Sequence, residues 1–116
     1  MTRANEVLYF YNVNREFAEE LEQMVLVAHA GTGGGYDWDE VYVFWHTRRE
    51  RFYYISDSGC SCNSITDGLY GLGDFLDFAT KGEVIRHFTN DRKPSDYGWS
   101  RDDINSMINE IMNWRG

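Results

Sequence analysis

The chain has 116 residues, 42% hydrophobic and 26% charged, which is room for one domain around one core and excludes enzymes that need separate cofactor and substrate domains. Lys and Arg number 11 against 19 Asp and Glu, a net charge of -8 with a pI near 4.7, so the clustered cations that neutralise a phosphate backbone are missing. Direct nucleic-acid binding is therefore not expected, and basic proteins fit better as partners. No apolar run approaches the ~20 residues a bilayer requires, and the first residues lack a basic-then-apolar signal, so a cytoplasmic protein without membrane association is expected.

Residues 5–13 are apolar and β-prone, and Asn14 then offers an N-cap for a short helix near residues 14–22. Phe17 and Leu21, four apart, form its apolar stripe, while Glu16, Glu19, Glu20 and Glu22 make it acidic. Residues 24–30, Met-Val-Leu-Val-Ala-His-Ala, read as a strand from their continuous, partly β-branched character, with an extension of the helix as the alternative. The Gly-Thr-Gly-Gly-Gly run at 31–35 is a flexible connector; it lacks the Lys-Ser or Lys-Thr of a phosphate loop. Two aromatic runs, 41–47 and 52–57, flank Arg48, Arg49, Glu50 and Arg51 and form a hairpin. Neither run alternates strictly between apolar and polar residues, so both faces of the hairpin require cover: from the rest of the chain, from a second copy in a homodimer, or from a partner.

From residue 56 to residue 73 the chain is rich in Ser, Asp, Gly, Cys and Asn and reads as irregular. Thr80 with Glu83 is a capping-box pattern opening a helix over 81–89 with Val84, Ile85 and Phe88 as its apolar side. After a polar link containing Pro94, Ser100 and Asp103 cap a last helix over 101–114, whose Ile104, Met107, Ile108, Ile111 and Met112 recur at helical spacing. These elements predict an α+β domain: a three-stranded antiparallel meander packed by two to three helices.

Few residues point to chemistry. Cys60 and Cys62 are the only cysteines and stand two apart, which excludes a disulfide scaffold that cross-links distant segments. A nucleophilic thiol needs a base, and His29, His46 and His87 are the candidates, each in a separate element. Zinc on Cys60 and Cys62 lacks the usual spacing within the cysteine pair, so these two are weak metal candidates and turn architecture is the default. Asp37, Asp39 and Glu40 do not continue into a calcium loop and read as a solvated edge. The α-helical acids suggest a mimic of the DNA phosphate track as one alternative function. Tyr42, Phe44, Trp45, Tyr53 and Tyr54 read mostly as core, but the excess of rings on a two-sided hairpin leaves a face that binds a protein as the best functional signal.

The strand Arg51-Phe52-Tyr53-Tyr54-Ile55-Ser56 running into Asp57-Ser58-Gly59-Cys60-Ser61-Cys62 resembles small proteins of actinobacteria and their bacteriophages that are classed as a domain of unknown function. The resemblance covers residues 21–88; those proteins tend to carry Pro after the second cysteine, where this chain has Asn63 and then Ser64-Ile65-Thr66. It implies a phage or prophage accessory protein of the bacterial cytoplasm, favours the strand at 24–30, and implies no chemistry. The expected function is non-enzymatic binding and modulation of a host protein without a cofactor. A thiol or zinc site on Cys60 and Cys62, and an acidic DNA mimic that inhibits a nucleic-acid-binding protein, are the alternatives.

Overall fold

The β-prone runs pair in sequence order. The computed structural model describes residues 1–34 and 36–115 and has four strands, β1 (Met24–Gly34), β2 (Asp37–His46), β3 (Arg51–Cys60) and β4 (Leu76–Phe78), in one antiparallel sheet of order β1-β2-β3-β4. The helices are α1 (Ala4–Val7), α2 (Arg15–Glu22), α3 (Lys81–Asp91) and α4 (Arg101–Asn113), with a 3-10 turn at Leu72–Asp74. The radius of gyration of 13.9 Å matches the value of about 13 Å for one domain of this length.

The expected α+β class holds, but the sheet has four strands rather than three. The fourth, β4, pairs Phe78 with Phe52 and Leu76 with Tyr54, and Arg51 grips its Asp77 at 2.6 Å. Three residues are too few for a periodic signal, and a short, charged edge strand protects the sheet from further pairing. The glycine run is also not a connector up to residue 34: β1 continues through it, pairing Gly31 with Glu40 and Gly33 with Trp38, while Gly35 lies outside the described residues. Gly33 has φ of 111°, and a Cβ there would stand 2.9 Å from the Trp38 Cα, so glycine is what lets the two backbones approach. Likewise β3 runs on to Cys60 and takes in the first five residues of the stretch read as irregular.

Alternate hairpin side chains build two cores. Tyr42, Phe44, Tyr53 and Ile55 join Met24, Phe10, Phe17, Leu21, Ile65 and Phe75 on one face; Val41, Val43, Phe52 and Tyr54 join Val84, Phe88, Trp99, Ile104, Met107 and Ile111 on the other. A bulge between Leu26 and Ala28 shifts the register of β1. The chain therefore covers both faces itself, the first with its N-terminal segment, α2 and the 61–75 loop, the second with α3 and α4. The need for a second copy or a partner to cover one face is removed.

The helix starts follow from local chemistry. Asn14 accepts the Phe17 amide at 2.8 Å, Thr80 accepts that of Glu83 at 3.2 Å, and Ser100 forms a full capping box with Asp103. Glu83 takes the amide of Ala79 rather than that of Thr80, and Met112, expected on the α4 stripe, points to solvent. Residues 5–13, read as β-prone, instead start as α1, with the Glu6 amide on the Arg3 carbonyl and the Leu8 amide on that of Ala4. The segment is stitched to the sheet edge by an Arg3–Val25 bridge and by the Leu26 amide on the Thr2 carbonyl at 2.7 Å.

Candidate functional site

Four of the five expected contact rings are core. Tyr42, Phe44, Tyr53 and Tyr54 are buried, and Trp45 is half-buried with its ring edge on Phe52 at 4.7 Å. Their burial corrects the expectation that they present a surface: strict alternation turned one set of rings toward each helical layer, and the helices fill the space a partner would occupy.

The histidines and acids are distributed rather than convergent. His46 is buried; its Nδ1 accepts the Arg49 amide at 3.0 Å, so its Nε2–H donates to Glu20 at 2.6 Å, and Glu20 also receives the Arg49 guanidinium at 3.0 Å. This cluster ties the hairpin turn to α2. Burial holds His46 below its ordinary value despite the carboxylate, and the Arg49 hydrogen bond holds Glu20 below its own. Protonating His46 would also displace the amide on Nδ1. A base whose folded pKa is depressed gives stability that is complete above the unfolded value of 6.5 and is lost as pH falls below it, and the depressed Glu20 acts in the same direction at lower pH. The melting temperature is therefore expected to fall as the buffer is taken from pH 7 to pH 5, and the slope to flatten in His46→Asn, which thermal melts across that range will measure.

His29 stacks on Tyr42 at 4.0 Å with Glu40 at 3.7 Å, whereas His87 meets Tyr54 at 4.7 Å on the opposite layer. Glu16, Glu19 and Glu22 stay exposed on α2, but Asp39, Asp77 and Asp91 pair with arginines. Glu6, Asp67, Asp74, Glu83 and Asp103 accept backbone amides at turns and helix starts. Asp39, expected on a solvated edge, takes Arg92 at 2.7 Å and the Trp99 indole at 3.1 Å. Among the described residues no group of three or more His, Cys, Asp or Glu is placed to hold a metal ion, so a zinc centre on Cys60 and Cys62 lacks a third protein ligand there.

What the hairpin does not present, the N-terminal segment does. After α1 the chain continues irregularly, with bends at Leu8, Tyr11 and Asn12, and Tyr9 73% and Tyr11 61% exposed on either side of Phe10, which is 8% exposed in the core. Tyr9 and Tyr11 meet edge to face at 4.7 Å. Thr66, itself buried, pins the segment by donating its hydroxyl to the Tyr9 carbonyl at 2.6 Å. Leu8 and Tyr9 form a ridge between two open hollows, of about 390 Å³ toward Trp38 and Asn63 and about 260 Å³ toward Val13 and α2. Glu40 lines the first and Glu22 the second, and neither is lined by Lys or Arg. Burial and Glu40 push the Tyr42 hydroxyl beneath this region up to about 12. No periodic signal in the sequence marks this pair, because residues 9–11 belong to neither a strand nor a helix.

The disulfide-bonded pair Cys60 and Cys62 lies beside the first hollow. The Trp38 indole donates to the Cys60 carbonyl at 2.8 Å, and Asn63 Oδ1 accepts the Cys60 amide at 3.0 Å. Gly59 sits under both, since a Cβ there would come within 2.8 Å of the Trp38 ring.

Among the described residues no helix is long and apolar enough to cross a membrane. Comparison with curated proteins and with solved structures returns no match. The family described as Domain of unknown function (DUF7574) matches residues 11–114, a span that takes in α2 and α4 as well as the stretch around the cysteine motif. With nine-tenths of its length inside that match, the chain belongs to the DUF7574 family.

Proposed function

We propose that this chain is a non-enzymatic binding protein that seats a basic, partly apolar segment of another protein across the Tyr9 ridge, and that it acts as a phage or prophage accessory factor on a host protein. The observation that supports the reading most is the exposed Tyr9–Tyr11 pair on a pinned backbone between two hollows. Rigid exposed tyrosines are the residue type that dominates binding energy at protein interfaces, because they offer large area at little entropic cost. The occupant's chemistry follows from charge: a carboxylate in each hollow, no cation lining either, and a net charge of -8 favour a Lys- or Arg-bearing segment.

The origin rests on the resemblance of the Asp57 to Cys62 motif, and an actinobacterial lysate is accordingly the source in which to look for the partner. Tagged protein is expected to retain a host protein that the Tyr9→Ala/Tyr11→Ala double variant releases, with the affinity loss at least about 30-fold, the ~2 kcal/mol of a single hot spot. Both side chains are exposed, so the melting temperature of the variant is expected to stay near that of the parent. Equal retention by parent and folded variant rejects the ridge as the contact.

A further inference from the structure

We propose that Cys60 and Cys62 form a reversible thiol–disulfide exchange site that takes electrons from low-molecular-weight thiols without unfolding the domain. Three observations lead there, and none depends on what occupies the neighbouring hollow. The cross-link joins residues two apart with Cα atoms 5.4 Å from each other, so it encloses only Ser61. Stabilisation by a disulfide grows with the loop it closes, reaching about 3 kcal/mol only at about 15 residues, and this bond ties no distant segments together.

The backbone is also held in place by other means. The Trp38 indole on the Cys60 carbonyl at 2.8 Å, the Cys60 amide on Asn63 Oδ1 at 3.0 Å and the Asn63 amide on the Cys60 carbonyl at 3.2 Å fix the turn whether or not the sulfurs are bonded. Opening the bond breaks none of these. Finally, the two sulfurs differ in access: Cys62 is exposed and Cys60 half-buried at the end of β3. An external thiolate therefore reaches Cys62 first, and the Cys60 sulfur is the leaving group.

The chemistry balances with a thiol of the glutathione type as reductant. Its thiolate attacks the Cys62 sulfur, the bond to Cys60 breaks, and Cys60 departs as a thiolate that takes a proton from water. A second thiolate then attacks the small-molecule sulfur of that mixed disulfide, the bond to Cys62 breaks, and Cys62 departs as a thiolate that takes a proton from water, releasing the small-molecule disulfide and leaving two protein thiols. In sum two thiols give up two protons and two electrons, and the protein disulfide takes them up; the reverse sequence, with the small-molecule disulfide as oxidant, closes the bond again. The turn beside the first hollow thus exists in two covalent states on one backbone.

The test is equilibration of the intact chain in anaerobic buffers of graded reduced and oxidised glutathione, followed by alkylation and intact mass measurement. Both thiols are expected to appear together in one two-electron transition, in the absence of denaturant, with the far-UV spectrum unchanged and the melting temperature within about 4 °C of the oxidised form. Thiols that appear only after denaturant, or a larger drop in melting temperature on reduction, would show a structural bond and overturn the proposal. So would two thiols that stay free, or form only mixed disulfides, at every ratio. Single variants assign the attacked sulfur: Cys60→Ser, with Cys62 remaining, is expected to take up one glutathionyl group faster than Cys62→Ser, and equal or reversed rates contradict the order of attack.

Discussion

Replacing Tyr54 with alanine is expected to lower the stability of the domain by about 3–5 kcal/mol, the range for removing a buried aromatic side chain. The ring is 1% exposed, lies among Val84, Phe88 and Trp99 in the second core, and meets His87 edge to face at 4.7 Å. Its hydroxyl adds a polar cost, because it donates to Asp91 Oδ2 at 2.6 Å, the same oxygen that Ser56 reaches at 2.7 Å. Burial pushes Asp91 up, yet the Tyr54 and Ser56 hydroxyls, Arg92 and His87 together hold it below the usual carboxylate range, so losing one donor is felt. Against a total of about 5–15 kcal/mol for a small domain, the alanine variant sits at the margin of folding. Tyr54→Phe separates the two contributions and is expected to cost about 1.5–3 kcal/mol, that of one hydrogen bond to a charged group. Denaturant titration of both variants measures the difference; an alanine variant as stable as the parent would mean that this ring is not core.

The second large effect is expected at Asp39. Its Oδ1 receives Arg92 through Nε at 3.0 Å and Nη2 at 2.7 Å, and its Oδ2 receives the indole of Trp99 at 3.1 Å, joining β2 to the link between α3 and α4. The Arg92 side chain is 16% and that of Asp39 31% exposed, so the pair is partly screened from water. Asp39→Ala leaves the buried Trp99 N–H without an acceptor and Arg92 with only Asp91, at 3.0 Å, as its remaining carboxylate. A cost of about 2–3 kcal/mol follows, below the ~3–5 of a fully buried broken pair because Arg92 keeps that partner. A double-mutant cycle with Arg92→Ala is expected to return a coupling of about 1–2 kcal/mol; additive losses would show two independent surface residues.

The contrast between Tyr54 and Asp39 marks what could be read from the chain. Patterns that rest on neighbours in sequence were legible: the caps at Asn14, Thr80 and Ser100, the Ile104–Met107–Ile111 stripe, and the strand at Met24, whose β-branched run outweighed a helical extension. The hairpin's lack of polar alternation correctly required cover on both faces. What covers it was not legible, because the packing of Phe10, Phe17 and Phe75 on Phe44, and of Phe88 and Trp99 on the reverse, is a matter of tertiary arrangement. That is why a binding face stayed open beside the core reading of Tyr42, Phe44, Tyr53 and Tyr54, all four of which are buried.

The same limit hid the rest. A glycine run reads as a flexible connector until its cross-strand partners are known, and Gly31 and Gly33 belong to a strand because Asp39 and Trp38 stand close beside them. Asp39 itself looked solvated because its partners lie more than fifty residues away. Tyr9 and Tyr11 were missed for the opposite reason: the segment read only as apolar and β-prone, whereas Val7, Leu8 and Phe10 pack on the core and the two tyrosines between and beyond them stay exposed.

The proposed contact with the partner is the N-terminal ridge and not the hairpin. Hydrogen exchange of the free chain, compared with the chain bound to its captured partner, distinguishes the two faces. Slowed exchange is predicted at residues 7–13, at Trp38 and at 63–66, around the two hollows. Protection confined to α3 and α4, or to the Arg48–Arg51 turn, with residues 7–13 exchanging as in the free chain, would contradict it.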